Sequence, residues 1–281
     1  MNRLRIRHST GFSYGGEVTA SYNEARMLPA SADGQLVLYS HLEILPISAH
    51  HSYVDYWGTR VSSFEVLTPH RELSLTATSL VEVRPRDHDD RRLEWLALAD
   101  EIETRTECVE QLTQTGRTRP PAELVEIAQR LVAEAETPCD AALAIARAVG
   151  ERIEYMPGVT GVHTTAVEAW EHGKGVCQDI THLTIGALRA VGIPARYVSG
   201  YLHPVPDAPI GQTVAGESHA WLEWFCGSWR GFDPTNLIDI GERHVRVGHG
   251  RDYMDVAPLR GVYAGPYGST LFVTVEITRE A

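Results

Sequence analysis

A change of hydrophobic period constrains this fold more than any other feature of the chain. From residue 3 to about 84, apolar and polar residues alternate in short runs broken by Gly, Asn and Asp. Leu4-Arg5-Ile6-Arg7-His8, Gly34-Gln35-Leu36-Val37-Leu38-Tyr39, His51-Ser52-Tyr53-Val54-Asp55-Tyr56-Trp57 and residues 73–83 are examples. A period of two puts successive side chains on opposite faces of a strand, so this stretch predicts a small antiparallel β-sandwich. Beyond it the period lengthens. Prolines open a helix over 121–132, a second runs over 139–152, and a third follows Cys177 with Ile180, Leu183, Thr184, Ala187 and Val191 on one face. The third ends at Gly192, with Pro194 beyond it. Strand-like runs then return at 195–202, 219–225, 229–232 and 270–278. Helices followed by antiparallel strands describe an α+β domain. The proline-containing, charged stretch 84–92 marks the boundary, which gives a β-rich domain over 1–85, a linker over 86–120 and a second domain over 121–281.

Bulk properties narrow the function. The 281 residues carry a formal net charge of −12, which argues against a nucleic-acid backbone or an anionic membrane as partner. The start of the chain is basic, but no continuous apolar stretch follows it, so neither a signal peptide nor a membrane span is expected. Cys108, Cys139, Cys177 and Cys226 are widely spaced, with no C-x-x-C pair. That spacing reads as free thiols in a reducing compartment, and hence a cytoplasmic protein. Thirteen histidines show no metal-binding spacing, so no zinc site is expected.

Cys177 stands apart from the other three cysteines. It follows Gly173-Lys174-Gly175-Val176 at the first turn of the third helix, where first-turn amides can stabilise both a thiolate and an oxyanion formed beside the Cys177 N–H. Cys108, Cys139 and Cys226 lack that glycine-rich approach and read as inert thiols. Downstream lie His219, opening a strand in Glu217-Ser218-His219-Ala220-Trp221, and Asp233, ending the next one in Gly231-Phe232-Asp233-Pro234-Thr235. A three-residue turn at 226–228 would pair His219 with Thr235 and make Asp233 its diagonal neighbour on the same face, whereas a two-residue turn would separate them. On the first register, the carboxylate orients and charges the imidazole, which in turn activates the thiol. Taken singly, His219 also reads as a half-buried strand histidine and Asp233 as a turn-forming Asp-Pro.

At these residues the chain resembles the bacterial transglutaminase-like superfamily. The resemblance rests on residues 173–182, 187–201, 219–223 and 231–236, which look like its Cys, His and Asp motif blocks. It extends to the β-rich region before them and to residues 250–263. It implies a papain-like core, a Cys177–His219–Asp233 triad that needs no cofactor, and a peptide or protein amide as substrate. Hydrolysis by a peptidase or isopeptidase is the leading reading. The alternatives are acyl transfer to an amine, or a non-catalytic binding module. Trp170 and Tyr155 are candidates by proximity for the oxyanion side, with core packing as the alternative for both. Asp179 reads as a charge on the helix dipole, and 251–263 as a substrate groove or a structural lid. Oligomeric state is not legible.

Overall fold

The computed structural model describes residues 1–32, 34–85 and 93–281. The charged residues 86–92, on which the expected boundary falls, lie outside them. The chain opens with six strands: β1 (Asn2–Val18), β2 (Ala20–Ala25), β3 (Gln35–Leu45), β4 (His50–Val54), β5 (Arg60–Val66) and β6 (His70–Val83). Helices α1 (Trp95–Thr104), α2 (Thr106–Glu110), α3 (Ala122–Glu134) and α4 (Pro138–Arg152) follow, then β7 (Glu154–Tyr155), α5 (Ala166–His172), β8 (Lys174–Gly175) and α6 (Cys177–Ala190). The rest is β9 (Ala195–Leu202), β10 (Thr213–Gly216), β11 (Ser218–Phe225), β12 (Trp229–Asp233), β13 (Ile238–Asp239), β14 (His244–Gly250), α7 (Tyr253–Val256), β15 (Leu259–Ala264) and β16 (Ser269–Arg279). The α+β class expected from the sequence is what forms. Two helices, α1 and α2, occupy part of the stretch expected to be linker.

The strands make three larger sheets, in the orders β10-β16-β1-β6-β3, β15-β2-β5-β4 and β13-β12-β11-β9-β14. Sequence alternation placed residues 270–278 in the second domain. The structure instead inserts β16 between β10 and β1 and pairs β15 with β2. The β-layers are therefore completed by strands from the far end of the chain.

One face of the first sheet covers two different partners. Along β1 the even-numbered residues are buried, except Phe12, which is half-buried. At one end of the strand, Leu4 and Ile6 pack with Tyr201, Val245 and Val247 of the β9–β14 sheet. At the other, Tyr14 and Val18 pack with Phe64 and Val66 of the β2–β5 sheet. His8 and Thr10 lie between these two cores and line a cleft.

The helical region packs around α6. The sequence assigned α6 one apolar face, but Gln178 through Arg189 are all buried, so the helix runs through the core. Each fully buried aliphatic side chain, such as Ile180, Leu183, Ile185 and Leu188, contributes roughly 1.5–3 kcal/mol. The buried charge of Arg189 opposes this and is offset by hydrogen bonds to the carbonyls of Gln111, Thr113, Ala195 and Arg251. Gly186 lets the loop pass close by: a Cβ there would sit 1.8 Å from the Thr118 carbonyl oxygen.

Cys139 and Cys226 are joined in a disulfide, with Cα atoms 5.8 Å apart across 87 residues of sequence. This corrects the reading of four free thiols. Cys108 and Cys177 remain free, and the spacing argument for a reducing compartment loses its premise.

Candidate active site

Local sequence places Cys177 at the head of α6. Thr165 caps α5 reciprocally with Glu168, and Gly173 ends that helix in the left-handed region at φ 64°. Lys174 and Gly175 then pair in parallel with Glu154 and Tyr155, so the chain enters α6 from a fixed short strand. Asp179, buried at the third position of α6, accepts from the Val176 N–H at 2.9 Å and from the Thr160 hydroxyl at 2.6 Å. It thus caps the helix, and burial raises its pKa despite those bonds. Gly175 is required by the close approach of Asp179, whose Cβ would lie 2.8 Å from a Cβ at 175. The amides of Cys177 and Gln178, in the first turn of α6, have no intrahelical acceptor.

The β11–β12 hairpin has the three-residue turn. Phe225 pairs with Trp229 and Leu222 with Phe232, which puts His219 and Asp233 on one face as diagonal neighbours. His219 Nε2 lies 2.7 Å from Asp233 Oδ2, and His219 is also hydrogen-bonded to Cys177. With Nε2 engaged by the carboxylate, Nδ1 is the ring nitrogen left for the sulfur. The structure thus brings together the cysteine, histidine and aspartate singled out in the sequence.

Electrostatics follow from this geometry. Burial opposes a charge on His219, but the hydrogen bonds to Asp233 and Cys177 and their negative charge outweigh it, and its pKa rises from 6.5 to about 10. Asp233 is fully buried. Burial disfavours its charge as well, yet hydrogen bonds from His219 and His244 hold its carboxyl well below the usual carboxylate range.

Sequence reasoning missed four contributors to this site. Asn236 donates from Nδ2 to Asp233 Oδ2 at 2.8 Å, and the Thr235 and Asn236 amides both donate to Oδ1. The stretch 231–236 contained them, but only its Asp was read as chemistry. His244, on the edge strand β14, lies 3.4 Å from Asp233 Oδ2 through Nε2, while its Nδ1 accepts from the Gly241 N–H. That second bond fixes the tautomer with the proton on Nε2, so His244 is a neutral donor to the carboxylate. Burial lowers its pKa. No motif marked His244. Trp221 packs against both rings, its own 6.3 Å from that of His219 and 5.3 Å from that of His244.

Of the oxyanion candidates, Trp170 is a core residue. Its indole N–H donates to Glu123 at 2.8 Å and its ring stacks under Arg152. Tyr155 does line the cleft, and its hydroxyl donates to Glu217 at 2.9 Å. Burial, Glu217 and the nearby Cys177 all push its pKa upward. Within 251–263, Tyr253, Pro258 and Leu259 line the cleft, while Arg251 is tied to Asp255 at 3.0 Å.

The cleft at Cys177 has a volume of about 560 Å³. One wall carries Cys177, Gln178, His219 and Tyr197, and the other carries His8, Thr10, Leu271 and Val273 of the first sheet. A larger concavity of about 710 Å³ lies on the β2–β5 sheet around Tyr22, His50, His51 and Arg260. No cysteine lines it; the smaller cleft is the one that carries Cys177 and His219.

Comparison with known proteins agrees with this architecture. The profile of the Transglutaminase-like superfamily matches residues 125–234, and that of the Bacterial transglutaminase-like N-terminal region matches residues 4–82. An uncharacterized protein of Mycobacterium leprae is 43% identical over 286 residues, covering 100% of both chains. One of Mycobacterium tuberculosis is 32% identical over 291 residues, covering 98% of this chain and 92% of its own. Among solved structures, a protein of Cytophaga hutchinsonii provisionally described as a cysteine protease superposes with a TM-score of 0.79 at 21% identity, covering 100% of this chain and 91% of that one. This chain belongs to the transglutaminase-like superfamily and carries the bacterial N-terminal region of that family.

Proposed function

We propose that the protein is a cysteine-dependent amide hydrolase acting on peptide or isopeptide bonds. The observation that carries this reading is the continuous hydrogen-bonded chain from Cys177 through His219 to Asp233 at the wall of an open cleft. Membership of the superfamily supports a cysteine-dependent enzyme.

In the proposed reaction Cys177 Sγ attacks the carbonyl carbon of the amide, its proton having passed to His219. The oxygen that gains charge lies at the start of α6, where the Cys177 N–H and the helix dipole stabilise it. The C–N bond breaks as His219 hands its proton to the departing amine, which leaves a thioester on Cys177. Water then attacks the thioester, gives a proton to His219, and releases the acid and the thiol. Asp233 keeps the imidazole in one orientation throughout, with Asn236 and His244 fixing the carboxylate in turn. Hydrolysis is favoured over amine transfer because water reaches an open cleft without a dedicated acceptor site.

The test is release of amine from a library of peptide and glutamine amides. Wild-type protein is expected to release amine in a manner abolished by iodoacetamide and by Cys177→Ala. No turnover by the wild type, or equal turnover by the variant, rejects the reading. Incorporation of a labelled amine in excess of hydrolysis would redirect it to acyl transfer.

A further inference from the structure

The cleft has an unfinished sheet edge as part of its wall. β16 is paired with β1 along its whole length, from residue 269 to residue 279. On its other side, β10 pairs only with residues 275–278. At Gly216 the chain leaves that edge and crosses into β11, which carries His219. Along 269–274 the far side of β16 therefore has no strand partner among the described residues.

The orientation of the bare groups follows from the ladder. Gly15 N–H donates to the Gly268 carbonyl on the β1 side, and Gly211 N–H donates to the Arg279 carbonyl on the β10 side. In an antiparallel sheet, the residues that bond one neighbour alternate with those that bond the other. Even-numbered residues of β16 thus serve β1, and Leu271 and Val273 present their N–H and C=O groups to the empty side. The Thr10 hydroxyl, donating to the Phe272 carbonyl at 3.0 Å, agrees with that alternation.

The side chains point the same way. Val275 and Ile277 are buried against the β9–β14 sheet. Leu271 and Val273, on the same face, are 51% and 48% exposed and line the cleft that holds Cys177. Beside them His8 lines the same cleft; it is 2% exposed, with Nδ1 bonded to Tyr201 and no partner for Nε2 among the described groups. An open apolar edge invites aggregation unless something uses it.

We infer that an extended polypeptide with apolar residues at alternate positions docks as an added strand on the Leu271–Val273 edge of β16, in line with β10. Main-chain hydrogen bonds would supply affinity, and the alternating contacts with Leu271 and Val273 would supply preference. The strand lies along the wall opposite Cys177, so its neighbouring amide is delivered to the sulfur. This rests on the hydrolase reading and deepens it: the substrate is an unfolded or extended segment rather than a small amide.

The test separates docking from chemistry. Binding of a fluorescein-labelled octapeptide of alternating Val and Ser to Cys177→Ala protein is followed by anisotropy, with each peptide amide N-methylated in turn. Methylation of alternate amides is expected to weaken binding at least tenfold, and of the intervening amides less than twofold. Val273→Pro removes an N–H that β1 does not use, a place where an edge strand tolerates proline, and is expected to weaken binding at least tenfold. Should that variant not fold, the methylation scan decides alone. No binding, or binding insensitive to the register of methylation, overturns the inference. So does a dimer of the chain that Val273→Pro dissociates, since a second copy would then own the edge. The hydrolase reading fails separately, through the amine-release assay.

Discussion

Asp233 shows how much of this site is built by groups that do no chemistry themselves. Its two oxygens take bonds from two backbone amides, an amide side chain and two imidazoles. Replacing it with Asn removes the charge that holds His219 protonated, and amine release is expected to fall by about 10³-fold or more. His244→Phe leaves the triad in place but removes a donor to the carboxylate. We expect a fall of about tenfold in kcat, a KM nearly unchanged, and an altered alkaline limb of the pH–rate profile. A fall in KM-dependent binding alone would contradict a positioning role. The folded-state pKa of His219, about 10, exceeds its ordinary 6.5, so folding favours its protonated form. That stabilisation is complete below pH 6.5 and is lost as pH rises toward 10. Thermal unfolding of the wild type should therefore show a downward slope between those values that His219→Gln lacks, and activity should fall above pH 10 as the proton for the leaving amine is lost. At this scale the sequence was readable where one residue type carries the proposed chemistry: the glycine approach marked Cys177. His244 was invisible because its role comes from tertiary packing alone.

At the scale of elements, α6 and the β11–β12 hairpin do the positioning. The hairpin was legible up to one undecided quantity, the turn length, because slipping by one residue moves every side chain to the other face. The observed pairing of Phe225 with Trp229 settles it. For α6 the pattern of Ile180, Leu183 and Ala187 gave the helix and its end at Gly192. It did not reveal that polar His182 and Arg189 are equally buried, because their partners come from residues 111–118, 195 and 251–253. Arg189→Leu should accordingly destabilise the fold by roughly 3 kcal/mol or more, since several buried carbonyls lose their donor. A urea midpoint unchanged from wild type would contradict that assignment.

At the scale of the whole molecule, the first sheet joins the two ends of the chain and closes the cleft. Sequence alternation identified β16 as a strand but not its neighbours, since pairing between residues 4 and 279 leaves no local trace. The Cys139–Cys226 link, across 87 residues, was hidden for the same reason. Deleting residues 269–281 should leave β1 without a partner on one side and unfold the sandwich, whereas a cooperative melt at the wild-type temperature would refute the interleaving. Thiol titration of the denatured, unreduced protein should find two reactive groups, Cys108 and Cys177. The most direct check on the whole account is the rate at which iodoacetamide modifies Cys177 at pH 7, read by peptide mass in native, denatured and His219→Ala protein. A native rate at least a hundredfold above the other two is the result expected of a sulfur activated by its imidazole neighbour. Equal rates in all three would contradict it.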